Sequence, residues 1–263
     1  MKKRWSILFF VTALFFFPVA LLILHSFSVA WSYGSLFPTE FSFRAWRVLL
    51  NEPKLLRAIG TSFAVGAIVV FINLMVGYVV GKTLAHEEFV GKDVFESLLL
   101  FPIIIPSLAI AMGIHIAMIK WGLADSLIGV SIVHLIPTIP YSIKMFRSSF
   151  DRIGLKWEEQ AKSLGASTRT IFYTIYLPQL IPTVRAVMFL IFVISLSQYA
   201  LTAIIGGGNV ITLAMIYFPY FSTVDESVMA SFSILFAILP LIFLIVVEGF
   251  IRVFVPYNNR QKR

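Results

Sequence analysis

The sequence contains no cysteine and few charged residues. The absence of cysteine excludes disulfides, thiolate zinc sites and iron–sulfur clusters. Charged residues make up 13% of the 263 positions, whereas a water-soluble chain carries roughly 25%. Hydrophobic residues reach 59%, and the mean hydropathy is +0.92. The composition therefore excludes a soluble protein and predicts an all-α integral membrane protein.

The sequence carries no motif for catalysis or for nucleic-acid binding. The formal net charge is +8, but the basic residues form no aromatic-lined groove, so we expect them to orient the chain and to contact membrane lipid headgroups. No nucleophile–base pair occurs, and nothing in the sequence brings His115 and His134 together as a metal pair. We therefore expect no enzyme, no metal site and no nucleic-acid partner.

Six segments are apolar over about the 20 residues that a membrane-spanning helix needs. Pro102 and Pro106 interrupt the third segment, and Pro137 and Pro140 interrupt the fourth. A membrane helix tolerates such breaks where neighbouring helices or water satisfy the freed backbone groups, so these two segments are expected in the interior of the bundle. The six predicted spans are 6–28, 62–83, 97–119, 126–143, 183–204 and 228–252.

The distribution of Lys and Arg between these spans predicts the orientation of the chain. With the N-terminus in the cytoplasm and the first span retained, sixteen of the basic residues fall in cytoplasmic segments and five in extracytoplasmic ones. Cytoplasmic loops carry the excess of Lys and Arg. We therefore expect a single transmembrane domain, 1–263, with both termini in the cytoplasm. Segment 29–60 is then extracytoplasmic, with an interfacial helix around 43–50.

Two glycines, Gly77 and Gly81, lie one helical turn apart in the second span. Such a pair permits the close approach of a neighbouring helix. The alternative is an incidental pair in a membrane helix that tolerates glycine.

The loop 144–182 is a polar segment between two predicted spans, and its sequence predicts two short helices. The first covers about 156–164, with Glu158 and Glu159 in the first turn, where carboxylates complement the helix dipole. Gly165 suits a helix stop. Ser167 or Thr168 can cap a second helix over about 169–176, which Pro178 and Pro182 are expected to end. We call residues 156–176 the knob.

The spacing within this loop resembles that of a known family. Permease subunits of binding-protein-dependent type I ABC importers carry Glu-Ala-Ala-x3-Gly-x9-Ile-x-Leu-Pro in the corresponding loop. This chain differs at Gln160, where the family usually has Ala. The resemblance implies an ATPase-coupling loop formed by Glu158, Glu159, Ala161, Leu164, Gly165, Ala166, Ile175, Leu177 and Pro178.

The resemblance also implies partners and a mechanism. The knob is expected to sit in a groove of a cytoplasmic ATPase subunit, and ATP binding there is expected to rock two permease subunits between two orientations. The chain has no phosphate-binding loop, so ATP and Mg belong to the ATPase and the chain needs no cofactor. Further expected partners are a second permease subunit, favoured as a different chain, and an extracytoplasmic substrate-binding protein. The expected location is a bacterial-type plasma (inner) membrane, and contact of segment 29–60 with the binding protein is left open.

Polar residues at membrane depth are the candidates for the substrate pathway, because such residues usually face the bundle interior. They cluster on the fifth span at Ser195, Ser197, Gln198, Tyr199 and Thr202. Interhelical hydrogen bonding is the alternative role. The following residues, Gly206, Gly207, Gly208 and Asn209, expose backbone amides to a ligand or binding protein, or form a plain turn.

The substrate class is the least constrained expectation. The resemblance extends to polyamine, ferric-iron, sulfate and phosphonate permeases and slightly favours a polyamine such as spermidine or putrescine, although the fifth span offers no Asp or Glu. An ion-coupled secondary transporter that acts without an ATPase is the alternative function. Such folds usually show internal repeats and intramembrane carboxylates, and neither is evident here.

Overall fold

A computed structural model gives the fold and describes residues 2–29, 31, 37–222 and 225–254. Part of segment 29–60 and the end of the predicted domain 1–263 lie outside these residues. Within these residues the regular structure is helical, apart from one isolated antiparallel β-bridge between Ser28 and Phe41. The α-helices are α1 (Lys2–Ser26), α2 (Arg44–Leu50), α3 (Leu55–His86), α4 (Lys92–Ile104), α5 (Ser107–Lys120), α6 (Leu127–Ile153), α7 (Lys156–Ser163), α8 (Thr168–Ile171), α9 (Leu177–Leu196), α10 (Tyr199–Ile205), α11 (Leu213–Tyr217) and α12 (Glu226–Phe254). A π-helical turn, Phe172–Tyr176, joins α8 to α9, and a 3-10 turn, Phe218–Ser222, follows α11.

Four helical segments of the described chain are long and apolar enough to cross a membrane: α3, α6, Thr168–Leu196 and Glu226–Gly249. A fifth is added if α4 and α5, which meet at an angle of 101°, count as one broken span. The apolar part of α1, Thr12–Ser26, is shorter. The all-α membrane class is thus confirmed, and the sixth span stays a prediction.

The prolines act differently from the expectation in two spans. The third span does break, at Ile105 and Pro106, but Pro102 lies inside α4. The predicted interruption of the fourth span is wrong, because α6 runs unbroken through Pro137 and Pro140. Both prolines belong to a helix that other helices surround, and there the missing hydrogen bonds can be compensated.

The predicted helix end before the fifth span is also wrong. Pro178 is the second residue of α9 and Pro182 lies inside it, so the chain is helical from Thr168 to Leu196. The π-helical turn directly before Pro178 widens the helix, a local adjustment that accommodates a proline. The real break comes later, at Ser197 and Gln198, inside the predicted span 183–204.

The glycine pair of α3 brings this helix against α6, as one of the two sequence interpretations predicts. A β carbon on Gly77 would lie 2.8 Å from Phe146 Cδ2, and one on Gly81 would lie 2.9 Å from the backbone nitrogen of Arg147. The buried hydrophobic core includes this contact and extends through Phe150 of α6 to Phe192 of α9.

Ion pairs connect α12 to the rest of the bundle at both of its ends. The Arg185 guanidinium donates to both oxygens of Glu248, at 2.7 and 2.8 Å, and joins α9 to α12. At the opposite end Arg44 makes the same two-point contact with Asp225, which lowers the pKa of that carboxyl. This contact places α2, whose bounds match the helix predicted around 43–50, beside the start of α12.

Candidate functional site

The first knob helix, α7, ends in a turn that needs one residue in the left-handed backbone conformation. Gly165 has φ +80°. Its N–H donates to the Lys162 carbonyl and the N–H of Ala166 to the Ala161 carbonyl, both at 2.9 Å. These are the two bonds of a Schellman motif, and they satisfy carbonyls that a helix end leaves free. The predicted helix stop is confirmed, and the knob turns sharply at this point.

The second knob helix begins with a side-chain cap. The Ser167 hydroxyl accepts from the N–H of Thr170 at 3.2 Å, so of the two candidate caps Ser167 serves. The chain then passes through the π-helical turn into α9 without leaving the helix. The knob is therefore continuous with a membrane-spanning helix on one side.

Glu158 points into the protein and joins three elements. Its Oε2 accepts from the Tyr176 hydroxyl and lies 2.9 Å from Nζ of Lys82 on α3. Its Oε1 lies 2.8 Å from Nζ of Lys162, one turn along α7. The Lys82 ammonium also lies 4.5 Å from the centre of the Tyr176 ring, within the range of a cation–π contact.

The environment of Glu158 keeps its carboxylate charged. Burial raises the pKa of a carboxyl, but here the hydrogen bonds from Lys162, Tyr176 and Lys82 outweigh burial and lower the pKa of Glu158 from 4.5 to about 2. The phenol and both ammonium groups bind the ionised form. Glu158 is thus an internal attachment of the knob to the bundle, and its side chain is not part of the outer surface.

The remaining residues of the predicted coupling loop divide into two sets. Ala161, Ala166 and Ile175 pack against the core, while Leu177 and Pro178 are half-buried. The outer surface carries the exposed Glu159 and Gly165 together with large apolar side chains. Leu164 is 88% exposed and Trp157 is 60% exposed. The knob therefore presents apolar groups outward from a rigid turn.

Of the predicted pathway residues, Ser195 and Thr202 are buried and bound to His134. The two ring nitrogens of His134 lie 2.9 Å from the Ser195 hydroxyl and 3.0 Å from the Thr202 hydroxyl. All three side chains are inaccessible or nearly so. For these two residues the geometry corresponds to the alternative role, interhelical hydrogen bonding. His134 on α6 thereby contacts α9 and α10 on either side of the break.

The other three pathway candidates form the break and keep access. Ser197 is exposed and its hydroxyl donates to the Ile194 carbonyl of its own helix. Gln198 precedes α10, and Tyr199 stacks on Phe218 with ring centres 3.8 Å apart. A hydroxyl, an amide and a phenol thus lie at the interruption of an otherwise apolar span.

The glycine segment after α10 packs against the turn before α6. Gly207 and Gly208 have positive φ, and a β carbon on Gly207 would collide with the Asp125 carboxylate. The N–H of Asp125 in turn donates to the Ile205 carbonyl at 2.8 Å. Gly206 is buried, while Asn209 is exposed. Close packing thus accounts for Gly207, and an additional ligand contact stays a prediction.

Comparison with known proteins identifies the family. The family model for the binding-protein-dependent transport system inner membrane component matches residues 73–257, which include the knob and both halves of the broken span. The chain belongs to this family.

The curated relatives of this inner membrane component are named for different solutes. It is 26% identical over 144 residues to the molybdate/tungstate transport system permease protein WtpB of Pyrococcus abyssi, a match that covers 55% of this chain and 58% of the relative. The chain thus spans little more than half the length of that relative. It is also 26% identical over 204 residues to the spermidine/putrescine transport system permease protein PotC of Haemophilus influenzae, covering 78% of this chain and 79% of that one.

Solved structures agree with this inner membrane component at the level of the fold. A bacterial ABC transporter involved in the import of the acidic polysaccharide alginate has a chain that superposes with a TM-score of 0.67 at 16% identity, covering 96% of this chain and 95% of that chain. The methionine ABC transporter MetNI, in an inward-facing conformation, gives a TM-score of 0.59 at 15% identity over 80% of this chain and 98% of that one.

Sequence reasoning missed the residues to which the knob of this inner membrane component is attached. Lys82 is one of the sixteen basic residues in the predicted cytoplasmic segments, and Tyr176 is the predicted end of the second knob helix; neither residue has a further predicted role. A signal was available for Lys82, because an ammonium near the end of an apolar helix needs a partner or the membrane surface. No group of three or more metal-ligating side chains occurs within the described part of the chain.

Proposed function

We propose that the chain is the permease subunit of an ATP-driven ABC importer and that the knob is its contact with the ATPase. The observation that carries this proposal is the exposure of Leu164 and Trp157 on a helix that a Schellman turn ends and that Glu158 attaches to the bundle. Family membership supports it.

The chemistry of the knob favours a protein partner over lipid. Apolar side chains that are exposed on a rigid, otherwise polar element mark interaction surfaces. The exposed residues around them are polar: Lys156, Glu159, Gln160 and Ser163. Burying these side chains in the hydrocarbon layer of the membrane would cost free energy, because they would lose their water. A groove with an apolar centre and a polar rim on a partner protein satisfies both sets of groups.

The chain then acts as a conduit, and ATP and Mg are bound by its partner. We propose a single domain, 1–263, with six spans and both termini in the cytoplasm of a bacterial-type plasma membrane. A second permease subunit, by preference a different chain, completes the translocation pathway, and a substrate-binding protein delivers the solute from outside. The sequence alternative, an ion-coupled secondary transporter, receives no support from the relatives.

We propose a small polar solute as substrate, with a polyamine and a molybdate-like oxyanion as the two candidates. The relatives support both. The break in the fifth span favours the oxyanion, because the Gln198 amide and the Tyr199 phenol offer hydrogen-bond donors. A polycation would meet no carboxylate on α9 or α10. Uptake of labelled molybdate and of spermidine into vesicles containing the whole transporter distinguishes them.

Co-purification from mild detergent tests the ATPase contact. We expect the tagged chain to retain an ATPase subunit and the variant Leu164→Ser to retain about tenfold less, as loss of a central apolar contact costs on the order of 1–2 kcal/mol. Leu56→Ser is the matched control, because Leu56 is 83% exposed but lies at the other end of the bundle, near the start of α3. A wild-type chain that transports its solute with no ATPase bound contradicts the proposal, as does equal loss in both variants.

A further inference from the structure

We propose that the Lys82–Glu158 ion pair makes the second membrane span move together with the knob, so that force applied by the ATPase reaches α3. This inference rests on the proposed function and assigns a positioning role to Lys82, Glu158 and Tyr176. The juxtaposition that carries it is a salt bridge of 2.9 Å between α3 and α7, next to a Tyr176 ring that the same ammonium overlies.

The covalent chain attaches the knob to two spans only. On one side α7 follows α6 through Gly154, which has φ +73° and open space around the position of a β carbon. On the other side the π-helical turn leads into α9. Neither connection involves α3, so the attachment of α3 to the knob is entirely non-covalent.

The non-covalent attachment has an aromatic part, the edge-on contact of Phe172 with Tyr78 of α3, and an ionic part at the Glu158 carboxylate. Its two oxygens receive Lys82 from α3, Lys162 from α7 itself and the hydroxyl of Tyr176. Tyr176 is buried and packs edge-on against Phe150 of α6, whose ring also contacts Tyr78 of α3. The cluster thus lies where α3, α6 and the start of α9 converge beneath the knob.

Breaking this pair removes the ionic link between the knob and α3, so that a turn of α7 about Gly154 would act less on α3. A partly buried ion pair resists such separation, because each charge would lose its partner before water replaces it. Below the pair, Gly77 and Gly81 hold α3 against the backbone of α6. A displacement of α7 that is passed to Lys82 is therefore passed on to the helix pair at the centre of the bundle.

Lys82→Met and Glu158→Gln test the role, with Lys162→Met as the matched control. All three changes affect the same cluster, but Lys162 pairs with Glu158 within α7 and makes no ion pair with α3. In reconstituted transporter we expect the first two variants to retain the ATPase subunit and ATP hydrolysis while the solute transported per ATP falls about tenfold, a coupling loss of common size. Lys162→Met is expected to transport normally, and Lys82→Arg to restore most of the function.

A distance measurement gives a second readout that a change in folding would not imitate. The chain has no cysteine, so spin labels can be attached at Thr83→Cys on α3 and Thr174→Cys in the knob, both exposed and both outside the residues placed around Leu164 and Trp157. We expect one narrow distance that is unchanged by ATP in the wild type and a broadened, ATP-dependent distance in Lys82→Met.

Three outcomes overturn the inference. Transport per ATP that is unchanged in both variants removes the role of the pair, and a wild-type distance that changes with ATP shows that the knob and α3 move separately. Loss of the ATPase subunit from Lys82→Met or Glu158→Gln would place the pair in the docking surface instead. An ATPase subunit missing from the wild type is a different result, because it contradicts the proposed function itself.

Discussion

Gly81 and Phe146 lie so close that a β carbon on residue 81 would stand 2.7 Å from Cβ of Phe146. The next two atoms around that position belong to the backbone of α6, Arg147 N at 2.9 Å and Ile143 O at 3.1 Å. A flexible side chain could turn away from an added methyl group, but these atoms cannot. The distance between α3 and α6 is therefore set by the absence of a side chain at this position.

Gly81→Ala should separate the two helices and destabilise the protein by about 1–3 kcal/mol, the usual cost of overpacking. Gly60→Ala is the control in the same helix, because nothing lies within 4 Å of its β-carbon position. That change should be neutral or stabilising by up to about 1 kcal/mol through the greater helix propensity of Ala. Denaturant unfolding in detergent measures both, and equal effects would show that packing does not set the cost.

Gly165→Ala should weaken the knob without creating a clash. The β-carbon position is open, but φ is +80°, where an L-residue costs roughly 1–2 kcal/mol. Asn tolerates this conformation better, so Gly165→Asn should lose less. The measurement is retention of the ATPase subunit together with protease sensitivity between residues 156 and 176. A larger loss in the Asn variant than in the Ala variant would refute the backbone explanation.

The sequence was sufficient to predict most of the helices, because their apolar runs and caps are local. The Gly165 stop and the Ser167 cap could be read in the same way. The effect of each proline could not, because it depends on the surrounding helices. Pro137 and Pro140 carry the same local signal as Pro106, yet only Pro106 adjoins a break.

The break at Ser197 and Gln198 shows the reverse case, a helix that ends without a local sequence signal. Neither residue is Gly or Pro, so no local signal ends the helix there. Its contacts come from elsewhere in the chain, since His134 bonds to Ser195 before the break and to Thr202 after it. The inward direction of Glu158 was hidden in the same way, because it depends on Lys82, far away in sequence.

Replacing His134 should cost more than replacing either of its partners. In His134→Ala the buried Ser195 hydroxyl loses its partner, at a cost of about 1–3 kcal/mol, while the Thr202 hydroxyl keeps only its bond to the Gln198 carbonyl. Ser195→Ala should cost less, because His134 keeps its contact with Thr202 at 3.0 Å. Ser197→Ala is the control, since its exposed hydroxyl bonds only within its own helix. Unfolding free energies that rank these variants differently would show that the His134 contacts do not hold the break.

The Glu158 cluster predicts a stability change confined to acid pH. The pKa of Glu158 is about 2 in the folded protein, below its ordinary value of 4.5, so the ionised carboxylate stabilises the fold fully above pH 4.5. Stabilisation is lost as the pH falls from 4.5 towards 2, because protonation removes the charge that Lys82 and Lys162 bind. The thermal midpoint of the wild type should therefore exceed that of Glu158→Gln at pH 6, and the difference should shrink steadily below pH 4.5.

The neighbouring exposed Glu159→Gln provides the matched comparison, and its midpoint should stay close to the wild-type value at pH 6. A gap between wild type and Glu158→Gln that keeps its full size at pH 2.5 would mean that the charge of Glu158 is not what holds the knob to α3.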